Sequence, residues 1–66
     1  MNLTVTADTP VRDEGTILVF TGEADDGRTV TFGVDRRIGL DLYGYLADTG
    51  AVDVEVEPWQ ILGRVA

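Results

Sequence analysis

The feature that most constrains the fold of this chain is a hairpin signal, Asp25-Asp26-Gly27, between two segments rich in β-branched and aromatic residues. These segments run from Thr16 to Ala24 and from Arg28 to Asp35. An Asp-Gly step flanked by alternating apolar residues is a strong short-range signal for two antiparallel strands joined by a tight turn. The sequence therefore predicts a long antiparallel hairpin.

The length of the hairpin loop decides which side chains share a face. A two-residue turn at Asp26-Gly27 would put Phe20 on the opposite face from Phe32 and split the core. A three-residue loop, with Gly27 in the left-handed region, pairs Phe20 with Phe32 and Leu18 with Val34. Because a one-residue slip turns every side chain over, we predict the three-residue loop. The predicted apolar face consists of Leu18, Phe20, Val30, Phe32 and Val34.

Alternation of apolar and polar residues predicts two further strands, one near each end of the chain. The first contains Leu3 and stops at Asp8-Thr9-Pro10, because proline removes a backbone donor. The second turns its valines to one side and its carboxylates to the other. The valines are Val52, Val54 and Val56, and the carboxylates are Asp53, Glu55 and Glu57. A short last strand is predicted from Trp59 to Val65, with Trp59 and Ile61 turned the same way.

Between the hairpin and the valine strand, the apolar period changes from two to about 3.6, which predicts a helix. Asp35 is a typical N-cap residue, and Gly50 is a typical left-handed residue just after a helix. The apolar stripe of this helix is predicted to be Ile38, Leu42, Tyr45 and Leu46.

The predicted helix has more apolar surface than one sheet can cover. Leu40 and Tyr43 widen the apolar arc and need another surface to pack against. Small domains without disulfides or metals often use a second subunit for stability, so we expect a homodimer with these two residues at or near the contact. Gly39 and Gly44 disfavour a helix, and we interpret them as positions of close packing, with a hinge or a binding notch as the alternative.

These elements predict a single α+β domain over residues 1–66. The predicted order is β-β-β-α-β, with a further short strand at the end. We expect a small, mostly antiparallel sheet or a partly open barrel, with one helix packed on one face. This order resembles that of OB-folds and SH3-like barrels, but the OB-folds that bind nucleic acid combine basic and aromatic residues on the sheet. The polar faces predicted here carry threonine and glutamate instead.

The residue types that are missing exclude most catalytic chemistry. The 66 residues include no histidine, cysteine, lysine or serine. Common nucleophile–base pairs, Schiff-base lysines, disulfides and most zinc sites are therefore impossible. We expect a protein that is not an enzyme, with no catalytic residue, no metal site and no cofactor.

The net charge is −7, which disfavours direct binding to nucleic acid or to anionic membranes because of electrostatic repulsion. No apolar run reaches the roughly 20 residues needed to span a bilayer. The first residues, Met1-Asn2-Leu3-Thr4, lack the basic start of a signal peptide. We therefore expect the protein to act in the cytoplasm.

Two short motifs resemble functional sites. Asp48-Thr49-Gly50-Ala51 and Ile61-Leu62-Gly63-Arg64 resemble two segments of retroviral-type aspartic proteases, but too few residues separate them for a flap between the motifs. We interpret Asp48 to Gly50 as the end of the helix. Carboxylates at Glu23, Asp25 and Asp26 could hold a hard cation, but Asp-Asp-Gly is also what the turn itself favours.

The strongest candidate site is the acidic strand. Asp53, Glu55 and Glu57 would stand about 6.8 Å apart on one face, at twice the rise per strand residue. Such a row can imitate the charge of a phosphate backbone, or it can be an ordinary solvated strand face. Together with Trp59, these residues form the predicted partner-binding surface.

Two segments resemble small accessory proteins encoded by phages of actinobacteria. They are the segment from Asp26 to Arg37, DGRTVTFGVDRR, and the segment from Val54 to Leu62, VEVEPWQIL. The resemblance implies a virus-encoded protein that acts in a bacterial cytoplasm, and it transfers no functional residue. A haloarchaeal source would also explain the acidic, lysine-free composition.

Two functions from different classes follow. The first is a non-enzymatic accessory protein that binds and modulates a host macromolecule, preferably a basic protein, through its acidic and aromatic surface. The second is a small structural or assembly module whose partner is itself or a virion component.

Overall fold

The computed structural model describes residues 1–62 and has an α+β fold, as predicted. In this part of the chain, one α-helix packs on an open, antiparallel, six-stranded sheet. The elements in chain order are β1 (Asn2–Thr6), β2 (Arg12–Asp13), β3 (Ile17–Ala24), β4 (Thr29–Asp35), α1 (Arg36–Thr49), β5 (Ala51–Glu55), a 3₁₀ helix (Pro58–Gln60) and β6 (Ile61–Leu62).

The strands lie in the order β5-β1-β3-β4-β6, and β2 pairs with β3. Because β5 and β6 form opposite edges, the chain must cross from one edge of the sheet to the other between Val56 and Gln60. Val56 is only 1% exposed and belongs to the core. The crossing is therefore anchored by a buried side chain at its start.

The central hairpin has the predicted register. Phe20 is opposite Phe32 and Leu18 is opposite Val34. The backbone N–H of Ala24 donates to the carbonyl of Arg28 at 2.8 Å, and Gly27 has φ +87°. The two phenylalanine rings stack with their centroids 5.8 Å apart. The three-residue loop is confirmed, since only this loop length brings both rings to the same face.

The core lies between α1 and one face of the sheet. Its buried members are Leu3, Val5, Leu18, Phe20, Phe32, Val34, Leu46 and Val56. Two members of the predicted helix stripe differ from expectation, because Ile38 is 60% exposed and Tyr45 is 55% exposed. The helix contacts the sheet mainly through a narrower face that contains Gly39, Leu42 and Leu46.

The two helix glycines have different surroundings. A Cβ atom on Gly39 would lie 2.8 Å from Cβ of Leu18, so glycine allows α1 to approach β3 closely. A Cβ atom on Gly44 would meet no atom of residues 1–62 within 4 Å. Close packing is therefore confirmed for Gly39 and is wrong for Gly44.

Two details of the strands differ from prediction. The predicted loop after β1 contains a two-residue strand, β2, in which Arg12 pairs with Val19 and Asp13 with Leu18. In the last segment, the 3₁₀ helix replaces the start of the predicted strand. Trp59 is exposed there while Ile61 packs against the core, so these two side chains do not face the same way. The rest of that predicted strand, residues 63–65, lies outside the described residues.

Candidate partner-binding surface

Two of the predicted carboxylates share the solvent-facing side of β5. Asp53 and Glu55 are exposed, whereas the alternating Val52 and Val54 are half-buried against the core. The hydroxyl of Thr4 donates to the Asp53 carboxylate at 2.9 Å. The alternation predicted a strand with one dry face and one acidic face, and β5 has these two faces.

Glu57 lies beyond the end of β5, where the chain begins to cross the sheet. Its backbone N–H donates to Oε1 of Gln60 at 2.8 Å, and the backbone N–H of Gln60 donates to the carbonyl of Glu57 at 2.9 Å. These reciprocal bonds close the short turn that contains Pro58. Glu57 therefore continues the acidic row in sequence but belongs to a turn rather than to the strand.

Trp59 lies at the centre of that turn and is the most exposed large apolar side chain in residues 1–62. Its side chain is 78% exposed. Proline fixes one backbone dihedral of the turn, and the Glu57–Gln60 bonds fix its ends. The turn packs near β4, away from the β5 edge. The predicted surface therefore has two parts, an acidic strand and a tryptophan displayed on a closed turn.

Within residues 1–62, the carboxylates of the acidic strand do not pair with arginine. Among the described residues, Arg12 pairs with Glu14, Arg28 with Asp26 and Arg36 with Asp13. No described arginine pairs with the carboxylates of β5. Glu55 instead forms an ion pair with the N-terminal ammonium of Met1 at 3.0 Å. The three arginine ion pairs lie elsewhere, so among the described residues Asp53 is the β5 carboxylate that has no cationic partner.

Glu23 extends this acidic surface, and the sequence pattern alone does not predict its position there. In the sheet, Asp53 lies opposite Thr4, and Thr4 lies opposite Glu23. Glu23 therefore shares a row with Asp53, two strands away, at a separation of about 9.6 Å between backbones. The register between β1 and β3 sets this neighbourhood. The alternation of Thr21 with Glu23 is visible in the sequence, but the sequence does not show that β1 pairs with β3 beside these residues.

Two carboxylates away from this surface have perturbed titration. The guanidinium of Arg36, which donates to Asp13, lowers the pKa of that carboxyl below its ordinary value of 3.8, and the backbone N–H of Gly15 adds to the effect. The backbone N–H of Arg28 lowers the pKa of Asp26 in the hairpin loop. These shifts reflect local hydrogen bonds that fix loops. They do not supply a proton carrier near neutral pH.

The predicted self-association residues are exposed on the helix. Leu40 is 52% exposed and Tyr43 is 55% exposed. They lie three residues apart, and therefore on one side of α1. Nothing in residues 1–62 covers them fully, so their predicted need for another surface stays a prediction.

The first motif, which resembles a catalytic loop, forms the C-terminal end of α1. Asp48 lies in the last turn of α1, and Gly50 follows with φ +86°, as expected for a helix C-terminus. The backbone N–H of Gly50 donates to the carbonyl of Leu46 at 2.8 Å. In the described part of the chain, no three carboxylates gather as a metal ion would require. No helix there has the length and hydrophobicity to cross a membrane.

Comparison with known proteins found no matching family model, no similar curated protein and no similar solved structure. The functional argument therefore depends on the surface itself. Its three informative features are the acidic face of β5, the displayed Trp59 and the exposed side of α1.

Proposed function

We propose that this chain is a non-enzymatic accessory protein that binds and modulates a host protein in the bacterial cytoplasm. The proposed binding residues are Asp53, Glu55, Glu57 and Trp59. This role is the one implied by the resemblance to small accessory proteins of actinobacterial phages. The proposal includes no catalytic step, no cofactor and no direct contact with nucleic acid.

The exposure of Trp59 is the observation that carries the proposal. Tryptophan is enriched among the residues that dominate the energy of protein interfaces, because it buries a large area with few rotatable bonds. The turn around Trp59 is closed by the Glu57–Gln60 hydrogen bonds, so little backbone order has to be gained on binding. The core does not use this side chain, since it is 78% exposed.

The carboxylates favour a basic partner. Within residues 1–62, no arginine pairs with the acidic face of β5, and Glu55 pairs with the N-terminal ammonium of Met1 at 3.0 Å. Asp53 takes part in no ion pair there, so a basic surface would gain attraction at Asp53 without first breaking one. Charge complementarity of this kind raises the association rate and discriminates among partners. The same field repels nucleic acid.

A capture experiment tests the proposal. Immobilised wild-type protein should retain a specific basic protein from a bacterial lysate, and the Trp59→Ala protein should retain much less of it. Hot-spot tryptophans typically contribute at least 2 kcal/mol, which corresponds to an affinity loss of about 30-fold. The matched control is Tyr43→Ala, which removes another exposed aromatic side chain from a different surface.

A second pair of variants separates charge from the aromatic contact. Asp53→Asn with Glu55→Gln should weaken capture and reduce its dependence on salt, because exposed charges act mainly through the long-range field. Asp41→Asn with Asp48→Asn removes the same charge from α1 and should leave capture unchanged. Equal capture by wild type, by the Trp59 variant and by the β5 charge variant, at low and high salt, would rule out this surface.

We propose self-association through α1 as the second candidate function, in the form of a small assembly module. The exposed Leu40 and Tyr43 favour this alternative, since a two-fold contact between such faces is a common way to bury apolar helix surface. In this alternative, the exposed side of α1 binds either a second copy of the chain or a virion component with a complementary apolar face.

Light scattering on a sizing column tests the second candidate. Wild-type protein should elute with the mass of a dimer at high concentration, and Leu40→Glu should shift it towards one chain by placing a charge in the contact. Arg37→Gln changes the net charge by the same amount on a polar position of α1 and should leave the mass unchanged. A single-chain mass for wild type at every concentration would contradict this candidate.

A further inference from the structure

The free edge of β5 presents a defined set of backbone groups. Val56 donates to the carbonyl of Met1 at 2.7 Å, and Ala7 donates to the carbonyl of Gly50 at 2.9 Å. These bonds fix which positions of the β1–β5 ladder are hydrogen-bonded pairs, because such pairs alternate along antiparallel strands. Val52 and Val54 therefore bond to β1. Asp53 and Glu55 point their N–H and C=O groups outward.

These outward groups have no backbone partner in residues 1–62. Ala51, at the start of the strand, is partly covered, since the hydroxyl of Thr49 donates to its carbonyl at 3.2 Å. Among the same residues, nothing donates to or accepts from the outward backbone groups of Asp53 and Glu55. The strand carries no proline, which is one common means of protecting an exposed edge. The edge can therefore accept another strand.

We propose that β5 binds its partner by strand addition, and that the occupant is an extended segment of the partner with basic residues at alternate positions. This inference rests on the proposed function, because it specifies how the acidic surface engages a basic protein. Added strands gain affinity from main-chain hydrogen bonds and specificity from alternate side chains. At Asp53 and Glu55, the outward backbone groups would supply the main-chain hydrogen bonds, and the carboxylates would supply the side-chain specificity.

The charge pattern of β5 selects this occupant over a second copy of the chain. If two β5 strands paired antiparallel across a two-fold axis centred on Asp53, that residue would face its own copy. Like charges directly opposite each other on paired strands are destabilising. Basic side chains at the same positions would form opposite-charge pairs instead, so the edge repels itself and attracts a basic strand.

The two faces of the sheet set the sequence pattern of the partner segment. Side chains opposite Asp53 and Glu55 would project to the acidic face at intervals of about 6.8 Å. The intervening side chains would project to the face that holds the half-buried Val52 and Val54. A segment that alternates arginine with valine matches both faces. The same residues in blocks do not match.

The test uses a blocked heptapeptide, Thr-Arg-Val-Arg-Val-Arg-Thr, and a control peptide of the same composition in which the arginines are consecutive. Amide hydrogen exchange of the full chain is followed by NMR with and without peptide. The alternating peptide should slow exchange of the Asp53 and Glu55 amides by at least about tenfold at saturation. The amides of Val52 and Val54, already bonded to β1, serve as internal controls.

Two substitutions at one position separate charge from backbone pairing. Asp53→Asn removes the charge and keeps the outward N–H, whereas Asp53→Pro removes both. Proline is tolerated where an edge N–H faces solvent, so the β1–β5 ladder is retained, and the melting temperature reports this. We expect Asp53→Pro to bind the alternating peptide at least about tenfold more weakly than Asp53→Asn does. Equal affinities would overturn strand addition.

The remaining outcomes also decide the question. Tight binding of either peptide without slower exchange at Asp53 and Glu55 would mean that charge alone attracts the peptide, and would overturn strand addition while leaving the proposed function intact. Slower exchange that grows with protein concentration in the absence of peptide would assign the edge to a second copy. Absence of binding to the alternating peptide would overturn the proposed occupant, and capture that depends on Trp59 would still support the proposed function.

Discussion

At the scale of single residues, we expect alanine to have opposite effects on the free energy of unfolding at the two glycines of α1, Gly39 and Gly44. Gly44→Ala adds a methyl group to open space, so it should raise the free energy of unfolding by about 0.5–1 kcal/mol through helix propensity alone. Gly39→Ala makes the same propensity gain but places Cβ 2.8 Å from the Leu18 side chain. Overpacking of a core costs about 1–3 kcal/mol, so the net change should be destabilising.

Urea denaturation of both glycine variants checks this pair. Gly44→Ala should move the midpoint to higher urea, and Gly39→Ala should move it lower, with similar slopes. Equal stabilisation by both substitutions would contradict the close contact between α1 and β3.

The lowered pKa of Asp13 leads us to expect a specific pH dependence of the free energy of unfolding. Its folded-state pKa lies below the ordinary value of 3.8, so the unfolded chain takes up a proton first as the pH falls. The stability contributed by the bond to Arg36 is present above that value and is lost as the pH falls through the lower folded-state value. Asp13→Asn should therefore be less stable at neutral pH, and its stability should change less below about pH 4.

Unfolding free energies measured from about pH 2 to pH 7 check this prediction, with Asp41→Asn as the control on an exposed helix position. If Asp13→Asn and wild type lost stability in parallel as the pH fell, the folded-state pKa of Asp13 would not be lowered, which would contradict the prediction.

At the scale of elements, the central hairpin and the helix were predictable because their determinants are local. The Asp26-Gly27 step, the two phenylalanines and the Asp35 cap all act over a few residues, and each is confirmed. The edge positions of β5 and β6 depend on pairing between distant segments, which no local period records. The row that joins Glu23 to Asp53 was missed for the same reason.

The helix surface was predicted less well than the helix itself. Apolar periodicity gives the faces of α1, but it does not say which of them the sheet covers. Ile38 and Tyr45 had the right spacing for the core stripe, yet the helix approaches β3 at Gly39 and leaves them outside. The glycine that permits this approach was noticed in the sequence, but its partner Leu18 could be identified only from the packing.

Replacing the aspartate at each end of α1 by alanine should affect stability differently. The Asp35 carboxylate accepts the backbone N–H of Arg37 at 2.9 Å, so Asp35→Ala should lower the free energy of unfolding by about 1 kcal/mol. Asp48→Ala removes an acidic side chain from the last turn, where it is unfavourable to the helix dipole, and should be neutral or slightly stabilising. Thermal unfolding of both variants compares them. A larger loss at Asp48 would show that it has a role beyond helix termination.

At the scale of the whole molecule, we propose that one partner covers both parts of the binding surface, although the acidic strand and the Trp59 turn lie towards opposite edges of the sheet. The chain exposes 4554 Å², and a standard interface covers about 800 Å² of each partner, or less than a fifth of this surface. The acidic strand and the Trp59 turn are joined by the short crossing that begins at Val56.

Fluorescence emission of Trp59 most directly tests whether this side chain anchors the partner, because Trp59 is the only tryptophan in the chain. Titration of the protein with the purified captured partner should shift this emission from that of a solvent-exposed indole to shorter wavelength, as the side chain becomes buried. A partner without tryptophan, or one whose tryptophans are replaced, keeps the signal specific. Saturable binding with no shift in Trp59 emission would contradict the central claim that this side chain anchors the partner.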